Sequence, residues 1–376
     1  MNGAKTRPRL LKSAFQRHAR FNISAHLADQ CGLQAASSER HDTMKILILG
    51  GTKFLGRHVV EAALARGHDV TLFNRGQSDP DRFPDATTLI GDRTCDLDKL
   101  AGGRWDAALD TSGHTPLDVS ATADGLSGKV GHYLYVSTAS VLSQPVAIGA
   151  DESAPIEELP PCETCVTQVT DHNYPAVKAE CERIVQDTFD GPSFVVRPGI
   201  VVGPEDPSDR FTYWLRRIKF GGDVLVSRPD QPVQFIDARD LADFIVRSAE
   251  DAHEGTCLAT GPEEPLTMGE FLAMCRKTLD VEAFFNCVDD DFLLQHELAP
   301  LDDLPLWVPK QLDGFLSLDC TRARDKGLSF RPLAETIMDT YTWDMSRPWD
   351  VPVNAGLTLD QEAELLETWM SRVVPS

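Results

Sequence analysis

A strand, a glycine-rich turn, a helix and a second strand follow one another between residues 45 and 73, and this order constrains the fold more than any other feature. The turn, residues 49–56, reads LGGTKFLG. The helix predicted over residues 55–66 carries apolar residues at helical spacing and stops at Gly67, a residue typical of helix C-termini. Together these segments form one right-handed βαβ unit, which is the building block of a parallel sheet.

The same alternation of apolar strands and amphipathic helices continues along the chain, and it predicts an α/β fold whose parallel sheet is covered on both faces. Predicted strands lie near residues 45–49, 69–73, 87–90, 105–110, 131–137 and 193–197. Later helices are predicted near 241–248, 268–279 and 359–372, the last with Thr358 as N-cap and Gln361 three residues on. Residues 143–173, which contain four prolines, are predicted to form a long loop.

The charge of the chain argues against polyanionic partners. Among 376 residues, 36 Lys and Arg stand against 58 Asp and Glu, a net charge of −22, so neither nucleic acid nor an anionic membrane is an expected partner. No run approaches the roughly 18 apolar residues of a spanning helix, and we expect a soluble, cytoplasmic protein.

Residues 1–43 differ from the rest, with seven basic and three acidic residues, so the remaining body carries −22 − 4 = −26. We expect a disordered extension there, although a mitochondrial transit peptide has the same composition.

The nine cysteines are odd in number and scattered along the chain, which favours free thiols over a set of disulfides. Cys162 and Cys165 form a CxxC in the predicted loop, where solvent-facing thiols are a simpler interpretation than a redox or metal site, and no metal is predicted.

The turn predicts a dinucleotide site, because backbone N–H groups at a helix N-terminus can hold a pyrophosphate. The candidate cofactor residues are Gly50, Gly51, Thr52, Lys53, Phe54, Leu55 and Gly56. The turn matches neither the strict GxGxxG pattern nor GxxGxxG, since Lys53 occupies the middle position. Its ammonium is expected to lie close to the phosphate groups.

Residues Asn74 and Arg75 follow the second strand, where NAD-selective sites place an acid for the ribose hydroxyls. A carboxylate there would repel a 2′-phosphate, whereas a guanidinium can bind one through two hydrogen bonds. NADP(H) is therefore the preferred cofactor and NAD(H) the alternative. Arg75 as a solvated turn residue is the other interpretation.

Tyr174 and Lys178 stand four residues apart on a predicted helix, and so share one face. A nearby ammonium can lower a phenol pKa, and such a tyrosine can give a proton to a carbonyl oxygen while a nicotinamide gives the carbon a hydride. The strand at 131–137 ends in Ser137 and Thr138, either of which can hydrogen-bond a substrate carbonyl. Alone, such hydroxyls are commonly strand-end caps; after a cofactor turn, the combination predicts catalysis.

The chain resembles the extended short-chain dehydrogenase/reductase superfamily over roughly residues 44 to 345, most closely its epimerase/dehydratase and isoflavone-reductase-like branch. The motifs that carry the resemblance are GGTKFLG at 50–56, FNRG at 73–76, GDR at 91–93, DTSG at 110–113, YVSTASV at 135–141, YPAVK at 174–178, RPGIVVGP at 197–204 and FIDARDLA at 235–242.

The resemblance implies a doubly wound Rossmann sheet over residues 44–200 and a smaller C-terminal substrate lobe over 201–376, with residues 233–262 returning to the core. It also implies that members are often homodimers. Its catalytic residues would be Thr138, Tyr174 and Lys178, the last also a ribose ligand. Asp92, Ser112 and Ser137 would contribute to the cofactor site, Asp92 at the adenine.

The sequence gives weaker evidence for the substrate site than for the cofactor site. His114, Ser140, His172, Arg210 and Trp214 are candidates, although hydrogen-bonded structural histidines, a solvated arginine face and core packing of Trp214 explain them equally well. Arg216, Arg217 and Arg228 could supply further anion contacts. Val233 stands where, by the resemblance, many sugar-nucleotide epimerases place an arginine.

The predicted function is NADP(H)-dependent reduction of a small-molecule carbonyl, or oxidation of the alcohol. One alternative is an NAD-dependent sugar or sugar-nucleotide epimerase/dehydratase, which recycles its cofactor. Another is a non-catalytic member that binds RNA or a protein.

Overall fold

The structure, a computed structural model, describes residues 42–79, 81–160, 168–348 and 351–373. The expectations for residues 1–41 and for Cys162 and Cys165 concern residues outside these ranges.

The strands of the structure are β1 (Lys45–Leu49), β2 (Asp69–Asn74), β3 (Thr87–Ile90), β4 (Trp105–Asp110), β5 (Val130–Val136), β6 (Ser193–Pro198), β7 (Ile200–Val202), β8 (Gly222–Val226), β9 (Phe235–Asp237), β10 (Gly255–Ala259) and β11 (Ala283–Cys287). Its helices are α1 (Phe54–Ala65), α2 (Pro116–Leu126), α3 (Tyr174–Thr188), α4 (Arg210–Phe220), α5 (Ala238–Glu250), α6 (Met268–Thr278), α7 (Asp290–Gln295), α8 (Thr321–Asp325), α9 (Leu333–Asp344) and α10 (Leu359–Val373).

Seven strands form one sheet in the order β10-β6-β5-β4-β1-β2-β3, and all of its neighbouring pairs are parallel. The order reverses at β1, because β2 lies on one side of it and β4 on the other. This is a doubly wound Rossmann sheet, so the predicted fold class is confirmed, as are the six predicted strands. Open parallel sheets build their sites outside the strand carboxyl ends at such a reversal.

Alternate residues of β1 show why the sheet is covered on both faces. Ile46 and Ile48 belong to an apolar cluster with α1 and α5, while Leu47 and Leu49 belong to one with α2 and α3. All four side chains are buried. Because side chains alternate along a strand, a run that is apolar throughout needs a helix layer on each side.

The helix boundaries follow local signals. After α1, Gly67 adopts a left-handed φ of 83°, and the Gly67 and His68 amides donate to Leu64 and Ala63 carbonyl oxygens, which closes the helix C-terminus. Before α10, the Gln361 amide donates to the Thr358 hydroxyl at 3.3 Å and the Gln361 side chain accepts from the Thr358 amide at 2.9 Å. The predicted capping pair of the last helix is thus confirmed.

The second half of the chain builds its own apolar cluster from α4, α6, β8, β11 and the segment around Trp307, while β10 returns to the main sheet beside β6. Residues 43–376 form one compact unit, and the division at residue 200 stays a prediction. Among the described residues, none of the helices combines the length and the apolar character needed to cross a membrane.

Candidate cofactor and catalytic site

A cleft of about 580 Å³ opens at the carboxyl edge of the sheet, where the strand order reverses. The turn after β1, the end of β2 and the segments after β3 and β4 line it. All of the predicted turn residues line it, as do Asn74, Arg75, Asp92 and Ser112. The structure therefore brings together residues that are far apart in the sequence.

The glycines make the cleft floor a close-fitting cradle. Gly50 and Gly51 have φ angles of 103° and 88°, which side chains rarely adopt. A Cβ on Gly56 would lie 2.9 Å from the Gly51 amide nitrogen and 2.9 Å from Thr111 Oγ1. Helix α1 begins after Lys53 without a side-chain cap, so its first N–H groups face the turn. These residues fit a dinucleotide pyrophosphate.

The end of β2 carries no carboxylate. The Asn74 side chain donates to the Gly50 carbonyl at 3.3 Å and accepts from the Gly76 amide at 2.8 Å, so it holds two turns together. Arg75 is exposed at the cleft. Across from it, hydrogen bonds from the Thr94 amide and hydroxyl, with a smaller contribution from Arg75, hold the pKa of Asp92 below its ordinary value.

Sequence reasoning missed a buried ion pair in the cleft wall. Arg93 donates to Asp110 at 2.7 Å, and the same carboxylate accepts from the Tyr133 hydroxyl at 2.7 Å and the Ser112 amide at 3.0 Å. Burial alone would raise the pKa of Asp110, but the charge of Arg93 and these hydrogen bonds lower it. An aspartate ending the apolar strand β4 was the available signal.

Arg93 retains unused donors. Its Nε and Nη1 are buried and have no hydrogen-bond partner among the described residues, although the residue lines the cleft. An unpartnered buried donor is costly, so these groups are available to an acceptor on a bound molecule.

Tyr174 meets Thr138 at the carboxyl end of β5, as predicted. The Thr138 hydroxyl lies close enough to the Tyr174 phenol to lower its pKa, and it accepts from the Ser140 amide at 3.1 Å. Burial raises the pKa of Tyr174, and the effect of Thr138 opposes that rise only in part. The predicted lowering by Lys178 is therefore not seen.

The reason is the direction in which Lys178 points. Its Nζ donates to the carbonyl oxygens of Gly113 and Val136, both at 2.9 Å, and to the Tyr135 hydroxyl. These three acceptors use all three N–H bonds of the ammonium. Only 3% of the residue is exposed, and burial lowers the pKa of Lys178 to about 8.

His114 lines the cleft, whereas Ser137 lies beside Thr138 at the end of β5 and does not line it. His114 lines the cleft one residue after Gly113, and burial, followed by the charge of Lys178, lowers its pKa. Ser137 is buried at the end of β5 next to Thr138, and its hydroxyl has no partner among the described residues.

Three substrate candidates, Trp214, His172 and Ser140, do not line the cleft. Trp214 is fully buried, and its indole nitrogen donates to the Pro305 carbonyl at 2.7 Å, so core packing, not a substrate wall, describes it. Its neighbours on α4 are apolar, which draws the indole inward. His172 is exposed just before α3, and Ser140 is half-buried near Thr138.

The four candidate arginines of the second half are each paired with a carboxylate. Arg210 binds Asp302 at 2.7 Å and the Leu301 carbonyl at 3.1 Å. The other three pairs are Arg216 with Asp344, Arg217 with Glu362, and Arg228 with both Asp290 and Asp313. These charges are neutralised within the protein, because the acidic chain supplies a carboxylate to each.

Comparisons with known proteins agree with this geometry. The family described as "NAD dependent epimerase/dehydratase family" matches residues 46–258. A curated relative, the chloroplast stem-loop binding protein of 41 kDa b from Arabidopsis thaliana, is 30% identical over 220 residues, which are 53% of this chain and 52% of that protein. The chain thus spans about half the length of that relative.

Solved structures share the fold. A Burkholderia cenocepacia protein superposes with a TM-score of 0.62 at 20% identity, covering 81% of this chain and 98% of its own. The Bordetella bronchiseptica enzyme WbmG, solved in complex with NAD and UDP, gives a TM-score of 0.58 at 17% identity, covering 80% and 94%.

Proposed function

This chain belongs to the NAD dependent epimerase/dehydratase family, within the extended short-chain dehydrogenase/reductase superfamily, and we propose on that basis that it is an epimerase or dehydratase that recycles one bound nicotinamide dinucleotide. The observation that carries the proposal is the proximity of Tyr174 and Thr138 at the carboxyl edge of the sheet, the edge at which the cleft opens, although neither residue lines the cleft itself. A proton donor beside a dinucleotide cradle is what reversible oxidation of an alcohol requires.

The turn at residues 50–56 would hold the pyrophosphate, and Arg75, Asp92 and Arg93 lie at the end of the cleft formed by β2 and β3. When bound, the dinucleotide supplies reversible hydride acceptance at the substrate carbon. Lys178 is buried and Tyr174 is half-buried, which limits the access of bulk water to the proton-transfer step.

The chain's own residues handle the proton. Thr138 would orient the substrate oxygen. The Tyr174 phenolate would take the proton from the alcohol and become the neutral phenol, and this phenol would return the proton when the carbon is reduced again. The raised pKa of Tyr174 makes the phenolate the less populated but more basic form, and it favours the neutral phenol that returns the proton.

The test has two parts. Nucleotide released from the denatured, purified protein is identified by chromatography, and turnover is screened over hydroxy and carbonyl compounds, free sugars and nucleotide sugars. We expect a retained dinucleotide and substrate conversion without net cofactor consumption. Tyr174→Phe should abolish conversion while keeping the nucleotide, whereas Tyr341→Phe, on α9, serves as the matched control; equal activity of the two variants would refute the assignment.

The substrate is proposed to lack a diphosphate. Each arginine candidate in the second half is already paired, and Val233 is fully buried. A diphosphate needs unpaired cations or free amide donors. UDP should therefore fail to raise the melting temperature of the protein; a clear shift would argue for a nucleotide sugar, as the complex of WbmG with UDP illustrates for that enzyme.

Net NADPH-dependent carbonyl reduction is a second candidate, favoured by Arg75 at the cleft and by Asn74 in place of an acid at the end of β2. It predicts stoichiometric loss of NADPH with a carbonyl substrate. Under the recycling proposal the added NADPH is not consumed, so one absorbance trace separates the two.

RNA binding is a third candidate, since the curated relative from Arabidopsis thaliana is a stem-loop binding protein. The acidic body, at −26, opposes it. Binding of the full chain to a stem-loop RNA that weakens steeply with salt would support it. Absence of binding at low salt would remove it.

A further inference from the structure

Two tyrosines on β5 clamp the turn that follows β4. Tyr133 and Tyr135 are two residues apart, so their side chains leave the same face of the strand. The Tyr133 hydroxyl donates to Asp110 at 2.7 Å, and the Tyr135 hydroxyl donates to the Gly113 carbonyl at 2.8 Å. One tyrosine thus binds the start of the turn and the other binds its end.

The two tyrosines differ in one respect. The Tyr135 hydroxyl also accepts from Lys178 Nζ, which lies 4.2 Å from the centroid of the Tyr135 ring. Tyr133 is as deeply buried, but within the described part of the chain it makes no such contact with the lysine. The Gly113 carbonyl receives both the lysine and the Tyr135 hydroxyl, so lysine, tyrosine and carbonyl form a closed triangle.

The turn that follows β4 is closely packed around Gly113. A Cβ on Gly113 would lie 2.8 Å from Val119 Cγ2, and 2.9 Å from both Asp110 Oδ2 and Tyr135 Cε2. Such contacts are closer than side chains tolerate, so the turn is tightly packed around Gly113, and the Gly113 carbonyl oxygen accepts from both Tyr135 and Lys178. Because the Gly113 carbonyl and the Tyr135 hydroxyl accept hydrogen bonds from Lys178 Nζ, they set the position of the Lys178 ammonium.

We propose that Tyr135 is a positioning residue that fixes the ammonium of Lys178, so that its positive charge stays in one place next to Gly113, whose neighbours Ser112 and His114 line the cofactor cleft. The assignment of that charge to the cofactor rests on the proposed function; the fixing of Lys178 does not. Tyr135 begins the YVSTASV motif, yet the sequence does not distinguish it from its equally buried apolar neighbours on the strand.

The groups that surround the ammonium come from every element packed against it. Cys181 and Glu182 lie on its own helix, α3, and Asp110 ends β4. Arg93 follows β3, and His114 follows the clamped turn. Asp110 already binds Arg93, which leaves Tyr135, Gly113 and Val136 as the direct partners of Lys178.

The first experiment needs no cofactor. Lys178 is labelled with acetic anhydride near neutral pH, and the modified peptide is quantified by mass spectrometry. In the wild type the buried amine should react slowly. Tyr135→Phe removes one acceptor of a charged donor, so labelling should speed up by about tenfold or more. Tyr133→Phe, which also loses one buried hydrogen bond, should keep the wild-type rate.

Equal labelling of Lys178 in the two phenylalanine variants would overturn the proposal, because general loosening would then explain both. Should Tyr135→Phe fail to fold, Tyr135→Leu, a smaller apolar side chain that fits the buried site without a hydroxyl, takes its place in the same comparison. Circular dichroism of each variant establishes the fold before labelling.

The second experiment measures the affinity for the retained dinucleotide against pH. The anionic dinucleotide should bind less tightly as Lys178 loses its proton. Tyr135→Phe should move the midpoint to lower pH, since a lost acceptor disfavours the ammonium, and Tyr133→Phe should leave it in place. In a Lys178→Met background the midpoint should vanish, and adding Tyr135→Phe should not change the affinity further.

An unshifted midpoint in Tyr135→Phe would contradict the positioning role. If the wild type binds no dinucleotide at all, the proposed function is contradicted, and the labelling experiment alone decides the role of Tyr135.

Discussion

Arg93 donates a 2.7 Å hydrogen bond to Asp110, and this contact joins the segment after β3 to the end of β4 beneath the cofactor cleft. The carboxylate is fully buried, and only 11% of the Arg93 side chain is exposed. Neither charge could stay buried without the other. The pair therefore connects two walls of the cleft whose strands, β3 and β4, are separated in the sheet by β1 and β2.

Removing one partner of this pair should be costly. Asp110→Asn leaves the Arg93 charge buried without a counter-charge, and we expect a loss of about 3–5 kcal/mol in the free energy of unfolding, measured in urea. Arg183→Met removes an exposed guanidinium that pairs with Glu180 and Asp187 on the same helix, and should cost less than about 1 kcal/mol. Similar losses for the two variants would show that the buried pair contributes nothing beyond a surface contact.

Arg75 should decide between the two dinucleotides. Arg75→Ala removes the exposed guanidinium at the end of β2, so the affinity for NADP should fall by about 10–100-fold while that for NAD stays within a few-fold. Calorimetric titration with each cofactor checks this. Arg104→Ala, an exposed change outside the cleft, is the control. Equal weakening of both cofactors by Arg75→Ala would mean that Arg75 does not meet a 2′-phosphate.

Gly56 should tolerate no side chain. Its Cβ would meet the Gly51 amide nitrogen at 2.9 Å, so Gly56→Ala must displace the cradle, with a loss of about 1–3 kcal/mol in stability and of dinucleotide binding. Gly125→Ala, inside α2 with its nearest neighbour at 3.5 Å, should instead gain about 0.5–1 kcal/mol. Unimpaired dinucleotide binding by Gly56→Ala would place the pyrophosphate elsewhere.

Asp206 should weaken the fold above pH 6. Burial raises the pKa of Asp206 to about 6, although its carboxylate accepts from the Ser208 amide at 2.8 Å. The folded state then holds the proton more tightly than the unfolded chain, so this group's contribution to stability is present below pH ~4 and is lost as the pH rises through about 6. Asp206→Asn should therefore stabilise the protein by about 1–2 kcal/mol at pH 7 and by little at pH 4. Urea titrations at the two pH values measure the difference, and a gain independent of pH would show that the Asp206 proton is not its cause.

Much of the fold can be read from the sequence because its signals are local. The hydrophobic pattern predicts the six strands of the first 200 residues within a residue or two, and two polar side chains predict the cap of α10. The strand-turn-helix pattern likewise places Gly50 to Gly56 at the cofactor cleft, since a tight turn before a helix needs small residues whatever surrounds it.

Other parts of the site cannot be predicted from the sequence, because they depend on contacts between distant residues and not on local signals. Tyr174 and Lys178 share a helix face, yet only the tertiary structure shows that the lysine turns toward Tyr135 and Gly113 while the tyrosine meets Thr138. The sequence leaves Trp214 open between cleft and core; the packing around α4 decides for the core.

The amino-acid order alone therefore determined the type and sequence of the elements, because hydrophobic period, caps and turn residues act between near neighbours. The tertiary structure decided which charges are neutralised within the protein, as in the pairs Arg93–Asp110 and Arg228–Asp313, and which stay available to a ligand. Those pairings form only when the fold brings distant segments of the chain together. A buried charge without a counter-charge is unfavourable, so burial favours the arrangement in which each charge has a partner.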